Sequence, residues 1–268
     1  MKKTTALTLA ALTALSSAAI AGEEEGIILG DANSTATFSS NGQFEWSVDG
    51  TDHLYDQSFY FRRAGDNQEF NIGSLEVLGV AVNDTNTFTD DRDDSINTLY
   101  SDGNGLEIET LFTLRGGSEG SGISSLAEQI SITNTSTSTM FISFFQYVDF
   151  DLGGDASDDW GQIVDGNTAL QYDDEFALSE TVVTPQPTLF QMDDEGTMYD
   201  IFNDDGVDDL NGNDSYQGDV AWAFQWNIEL GAGDSFLISK NKTLGVPTPG
   251  SLALLASAGL VATRRRRA

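Results

Sequence analysis

The chain has 268 residues, with 43 acidic, 12 basic and one histidine, a formal net charge of −31 and no cysteine. Disulfides, thiolate metal sites, iron–sulfur clusters and a catalytic cysteine are therefore excluded, and a lone His53 excludes a multi-histidine centre. The charge also argues against nucleic acid and anionic lipid surfaces as partners, because almost nothing is present to neutralise phosphate.

Residues 1–21 read as a signal peptide. Lys2 and Lys3 form a positive start, Thr4 to Leu15 a short apolar run, and Ala19-Ile20-Ala21 an A-x-A cleavage pattern. The run is too short for a membrane anchor. The expected partners at this end are the export machinery and signal peptidase, with a mature start at Gly22. Six of the basic residues lie in the two ends: Lys2, Lys3, Arg264, Arg265, Arg266 and Arg267. The body, residues 22–245, keeps Arg62, Arg63, Arg92, Arg115, Lys240 and Lys242 against all 43 acids, a net of −37. Such charge suits solubility in salt and hard divalent cations, which take oxygen ligands. A body of this length can bury enough apolar surface to fold without disulfides.

Along the body, side chains alternate in the manner of strands. Phe44, Trp46 and Val48 alternate with polar neighbours before an Asp49-Gly50 turn. Leu106, Ile108, Thr110, Phe112 and Leu114 share one parity, and Ile130 and Ile132 another. Ser125 to Gln129 reads as one helical turn, and no other helical periodicity stands out. Residues 141–152, FISFFQYVDFDL, are apolar on both faces at first, which predicts a central strand covered on both sides. In VAWAFQWNIEL, Val220, Trp222, Phe224, Trp226, Ile228 and Leu230 fall on one face, with Ala221, Ala223, Gln225, Asn227 and Glu229 on the other. A turn at 231–234 leads into a further strand, Ser235 to Ser239. The predicted architecture is all-β: a single antiparallel β-sandwich of ten or more strands. A break near 116–124 would divide it into two halves, but one domain is the better reading.

Three long polar stretches, 83–105, 151–167 and 203–214, read as loops. The third has the rhythm of a calcium loop: Asn203-x-Asp205-Gly206-x-x-Asp209, continued by Asn211 and Asp214. It lacks the glutamate of an EF-hand, and a solvated acidic turn reads the same way, so calcium and plain solvation both stay open. Asp149, Asp151, Asp155, Asp158 and Asp159 form a second acidic run. Trp160, in the acidic stretch SDDWGQ, is predicted to be an exposed aromatic that contacts a ligand. Trp222 and Trp226 could stack on sugar rings, but their shared apolar face predicts core packing. With 43 acids, no carboxylate pair for glycoside hydrolysis is singled out. His53 would have to serve any serine–histidine–aspartate triad, yet there is no G-x-S-x-G elbow, and a packed or surface histidine is expected.

The tail orders Val246-Pro247-Thr248-Pro249, an apolar stretch predicted as a single hydrophobic helix, and the cluster Arg264, Arg265, Arg266 and Arg267 at the extreme C-terminus. Residues 246–268 resemble a PEP-CTERM protein-sorting domain, with Thr248 where the usual motif has glutamate. The resemblance implies transient anchoring in the inner membrane, recognition and cleavage by an exosortase-type protease, and delivery to the cell surface or extracellular matrix, often beside exopolysaccharide. The arginines would stay cytoplasmic, leaving the body outside. The functional expectation is an exported, processed, non-catalytic structural or interaction protein. A carbohydrate-binding module is the first alternative and a carbohydrate-active hydrolase the second.

Overall fold

The computed structural model describes residues 26–246. The predicted signal peptide lies outside the described residues. So do Pro247, Thr248, Pro249, the predicted apolar tail helix and Arg264, Arg265, Arg266 and Arg267 of the expected sorting signal. Val246 is the last described residue and is exposed. Among the described residues, no helix is long and apolar enough to cross a membrane.

The chain runs through β1 (Ile27–Asp31), β2 (Ser34–Phe38), β3 (Gly42–Val48), β4 (Thr51–Asp52), β5 (Leu54–Arg63), β6 (Phe70–Asn71), β7 (Glu76–Asn83), β8 (Ser95–Ser101) and β9 (Leu106–Gly116). It continues through β10 (Ser124–Asn134), β11 (Met140–Phe150), β12 (Asp159–Val164), β13 (Thr168–Tyr172), β14 (Ala177–Thr184) and β15 (Leu189–Asp194). Helix α1 (Glu195–Asn203) follows, then β16 (Ser215–Gly218), β17 (Val220–Leu230) and β18 (Ser235–Gly245).

Two antiparallel sheets of nine strands result, as the alternating pattern predicts. The first has the order β1-β2-β3-β5-β11-β17-β15, with β4 on β3 and β6 on β5; the second runs β16-β12-β13-β14-β18-β10-β9-β8-β7. Between them lies the apolar core. Trp46, Phe144, Phe150, Trp222, Phe224 and Trp226 fill it, all 1% exposed or less. Phe150 stacks on Trp222 with ring centroids 5.8 Å apart, and Trp46 meets the edge of Phe150 at 6.0 Å. Each buried indole N–H finds an acceptor, as burial requires: Trp46 donates to Ser124 Oγ at 3.0 Å, Trp222 to Glu180 Oε2 at 3.1 Å and Trp226 to the Pro185 carbonyl at 3.0 Å.

β3 and β5 join through only the pairs Gly42↔Ser58 and Gln43↔Gln57. At Gly42, with φ +154°, a Cβ would lie 2.0 Å from the Gln57 carbonyl oxygen, so the close approach of these strands requires glycine. Asn134 ends β10 fully buried. Its amide donates to the carbonyls of Ser138, Leu230 and Gly231, and its Oδ1 accepts from the backbone N–H and hydroxyl of Ser136.

β11 is the predicted central strand, flanked by β5 and β17 and buried on both faces. Its outer face is covered by α1, an element the sequence did not announce. Asp194 caps this helix, accepting from the Thr197 N–H at 3.1 Å and the Thr197 hydroxyl at 2.6 Å. Met198 and Phe202, one turn apart, turn inward. Phe202 stacks on Tyr60 at 4.7 Å and meets Phe145 and Tyr147 edge-on. Ala221 and Ala223, on the second face of β17, are fully buried here, and their small side chains leave room for the helix.

Three other local expectations are corrected: Ser125 to Gln129 lies inside β10, not in a helical turn; residues 83–105 contain β8; and residues 151–167 contain β12. The 203–214 stretch is a loop from Asp204 onward, as expected, and only Asn203 belongs to α1. In the two long stretches, polar side chains on the strands had the composition of a loop.

Candidate functional site

Trp160 is not in a loop. It stands on β12, paired with Tyr172 of β13 on one side and Gln217 of β16 on the other. Alternation sends Asp159, Gly161 and Ile163 inward and Trp160, Gln162 and Val164 to the outer face of the second sheet. There Trp160 and Tyr172 lie with ring centroids 4.8 Å apart, tilted by 41°, both half-buried. Gln162, Leu170 and exposed Gln217 border them. Burial raises the Tyr172 hydroxyl above its usual pKa, so the ring presents a neutral phenol. An aromatic pair held rigid by strand pairing and bordered by amides can stack on an apolar ring face while bonding its hydroxyls. Tyr172 was not singled out in the sequence, because nothing in its own neighbourhood marks it as a partner of Trp160.

The residues of the 203–214 stretch serve other contacts. Asn203 ends α1, its amide donating to the Tyr199 carbonyl at 2.9 Å; Asp205 is exposed. Asp209 takes Arg62 and the Gln225 amide, each at 2.7 Å. Asn211 accepts the Asn213 N–H at 2.8 Å, and Asp214 accepts the Ser215 hydroxyl at 3.1 Å. The second acidic run divides. Asp155 and Asp158 are exposed; Asp159 is buried against the Gln171 amide, and burial pushes its carboxyl up to about 7. Asp149 and Asp151 are brought together with Asp219, which the sequence did not single out.

His53 is fully buried against the edge of Phe176, 4.5 Å between centroids, and its Nδ1 accepts the Gly153 N–H at 3.0 Å. Burial lowers its pKa to about 4, so it is a neutral packed histidine.

Two glutamates do converge, deep between the sheets. Glu128 (β10) and Glu180 (β14) meet Lys240 and Lys242 of β18, all four at most 2% exposed. Lys240 pairs with Glu128 and with Glu180, the latter at 3.1 Å; Lys242 pairs with Glu128 at 2.5 Å and reaches Glu180 at 3.9 Å. Gln146 donates to Glu180 at 2.8 Å and Gln57 to Glu128 at 3.2 Å. Burial opposes the Glu128 charge, but the fields of Lys240 and Lys242 outweigh it and hold its carboxyl below its ordinary pKa. The group is a closed, neutral quartet with every carboxylate occupied.

The other four basic residues of the body are also paired: Arg62 with Glu69 and Asp209, Arg63 with Asp102, Arg92 with Asp90, and Arg115 with Asp94.

No protein-family description matches the chain, and no curated protein does. Solved structures are similar in fold. A bacterial glucoamylase complexed with acarbose matches with a TM-score of 0.57 and 11% identity over 90% of this chain. This chain covers 36% of that enzyme, about a third of its length. A putative aldose 1-epimerase from Escherichia coli K12 matches with a TM-score of 0.48 and 11% identity, covering 82% of this chain and 98% of that one. A galactose mutarotase-like protein from Lactobacillus casei gives 0.48 and 9%, covering 82% and 99%. At these identities the likeness is one of fold: the paired antiparallel sheets of this chain are built as in the glucoamylase.

Proposed function

We propose that this is an exported protein of the cell surface or matrix whose β-sandwich binds carbohydrate and does not cleave it. The observation that carries this reading is the Trp160–Tyr172 pair on the outer face of the second sheet, bordered by Gln162 and Gln217. A pyranose offers an apolar face for the rings and hydroxyls for the amides. The likeness to a glucoamylase that was solved with acarbose supports a saccharide as the ligand class. Binding is favoured over hydrolysis because the convergent glutamates, Glu128 and Glu180, are buried and tied to lysines, where no glycosidic bond reaches them.

Export and sorting rest on the sequence of the two ends. The tail motif of Val246, Pro247, Thr248 and Pro249, closed by Arg264, Arg265, Arg266 and Arg267, supports cleavage by an exosortase-type protease. Exopolysaccharide is the natural partner of a protein so delivered.

The test is a glycan array with the purified protein, followed by titration calorimetry on the best binder. Trp160→Ala and Tyr172→Ala should each weaken binding by about threefold to tenfold, since one stacked ring contributes about 0.5–1.5 kcal/mol, and the near-ultraviolet spectrum should otherwise stay native. Binding unaffected by either substitution removes the platform; an array without binders removes the carbohydrate reading.

A further inference from the structure

Asp149 lies near the end of β11, opposite Ala221 of β17. Asp151 follows the end of β11 and Asp219 immediately precedes β17, so all three aspartates lie at one end of this ladder. One carboxylate oxygen from each lies within 4.8 Å of the others. Calcium takes oxygens at about 2.3–2.6 Å, so ligands on opposite sides of one ion stand about 5 Å apart, and this triad has that span.

Two further observations point to a ligand. Asp149 is 1% exposed, and its Oδ1 has no hydrogen-bond partner, while Oδ2 takes only the Tyr147 hydroxyl at 3.3 Å. A buried carboxylate oxygen without a donor is costly unless a cation meets it. No side chain supplies that cation. All six basic residues of the body are engaged with other carboxylates, and the charges that act on Asp149 and Asp151 are those of Asp219, Glu195, Asp52 and Asp155.

We propose that Asp149, Asp151 and Asp219 form a calcium site that ties the end of β11 to the β16–β17 junction. Its carboxylates come from segments about seventy residues apart, so an ion held there clamps the first sheet at the base of α1, where the Glu195 N–H donates to the Asp219 carbonyl. The three aspartates are not residues of the 203–214 stretch or of the Trp160–Tyr172 pair.

The test uses the full chain in buffered potassium chloride at constant ionic strength, so that screening of the net negative charge is the same in every arm. Millimolar calcium should raise the thermal midpoint by several degrees over chelator, with magnesium giving less than a third of that shift. Terbium should show saturable emission sensitised by Tyr147 and displaced by calcium. Asp219→Asn, at a partly exposed position that should fold, should abolish both signals and raise the midpoint in chelator, because it relieves repulsion. Asp149→Asn should do the same, whereas Asp205→Asn should keep both signals. The proposal is overturned if wild type shows no shift, if magnesium matches calcium, if the signals survive in Asp219→Asn, or if they vanish in Asp205→Asn.

Discussion

Consider Lys242→Met. The quartet of Glu128, Glu180, Lys240 and Lys242 is neutral as built, and Lys242 bonds Glu128 at 2.5 Å with both side chains almost wholly out of water. Methionine replaces the stem closely in volume, so no large cavity opens, and the dominant change is one uncompensated buried negative charge. Removing one partner of a buried pair costs about 3–5 kcal/mol, a large part of the roughly 5–15 kcal/mol that holds a typical domain together. Adding Glu128→Gln restores neutrality, because Lys240 and Glu180 remain paired at 3.1 Å, with Gln146 and Trp222 still donating to Glu180. The double variant should therefore be more stable than Lys242→Met alone by about 1–3 kcal/mol. The assay is urea unfolding of wild type, both single variants and the double, read by tryptophan fluorescence, in low and high salt. The coupling should be nearly independent of salt, since buried pairs are poorly screened. Additive single effects, or a coupling that salt erases, would refute a charged, solvent-excluded quartet.

Three other outcomes follow from the packing. Asn134→Ala removes the amide that donates to the Leu230 carbonyl, while the Gly231 and Ser138 carbonyls keep the Asp234 N–H and the Ser136 hydroxyl, and should cost about 1–3 kcal/mol in chemical denaturation; a loss below about 0.5 kcal/mol would show that water replaces the amide. His53 has a folded pKa of about 4 against 6.5 when free, so the unfolded chain binds the proton first and stability is lost as pH falls from about 6.5 toward 4. Between pH 7 and about 4.5, wild type should lose about 2–3 kcal/mol more than His53→Gln, and parallel pH profiles would refute a buried neutral imidazole. Gly42→Ala drives a Cβ into the Gln57 carbonyl, and should lower stability by about 2 kcal/mol or more while loosening hydrogen-exchange protection at the β3–β5 joint.

Much of the fold was legible because a half-buried strand repeats every two residues. Val220 to Leu230 on β17 and Leu106 to Leu114 on β9 show this plainly, and their inward residues are the ones that pack. The rhythm failed where charge faces inward. Lys240 and Lys242 continue the inward parity of Ile238 and Leu244, but a lysine at a core position looks like the end of a strand until its glutamate is seen. Glu128 and Glu180 hide for the same reason, since each partner lies at least 34 residues away in sequence. Helix α1 was missed because nine residues with two inward side chains make little periodicity, and nothing in the alanines that accept it says what covers their face. Trp160 was found as a candidate, but its acidic neighbours disguised the strand that holds it, and strand pairing alone reveals Tyr172. Asp219 joins Asp149 and Asp151 only because β11 and β17 pair, about seventy residues apart, which no local motif encodes.

The complete pairing of the six basic residues makes the folded body a poor target for chemistry directed at lysine and arginine. Both of its lysine amines lie inside the sandwich, so amine-reactive cross-linkers and acylating agents should find none to modify on its surface until the sheets part. Trypsin needs a lysine or arginine on an extended, mobile segment, and here its six sites lie in strands or are held by carboxylates. Tryptic cleavage of this chain therefore reports global opening more than surface fraying.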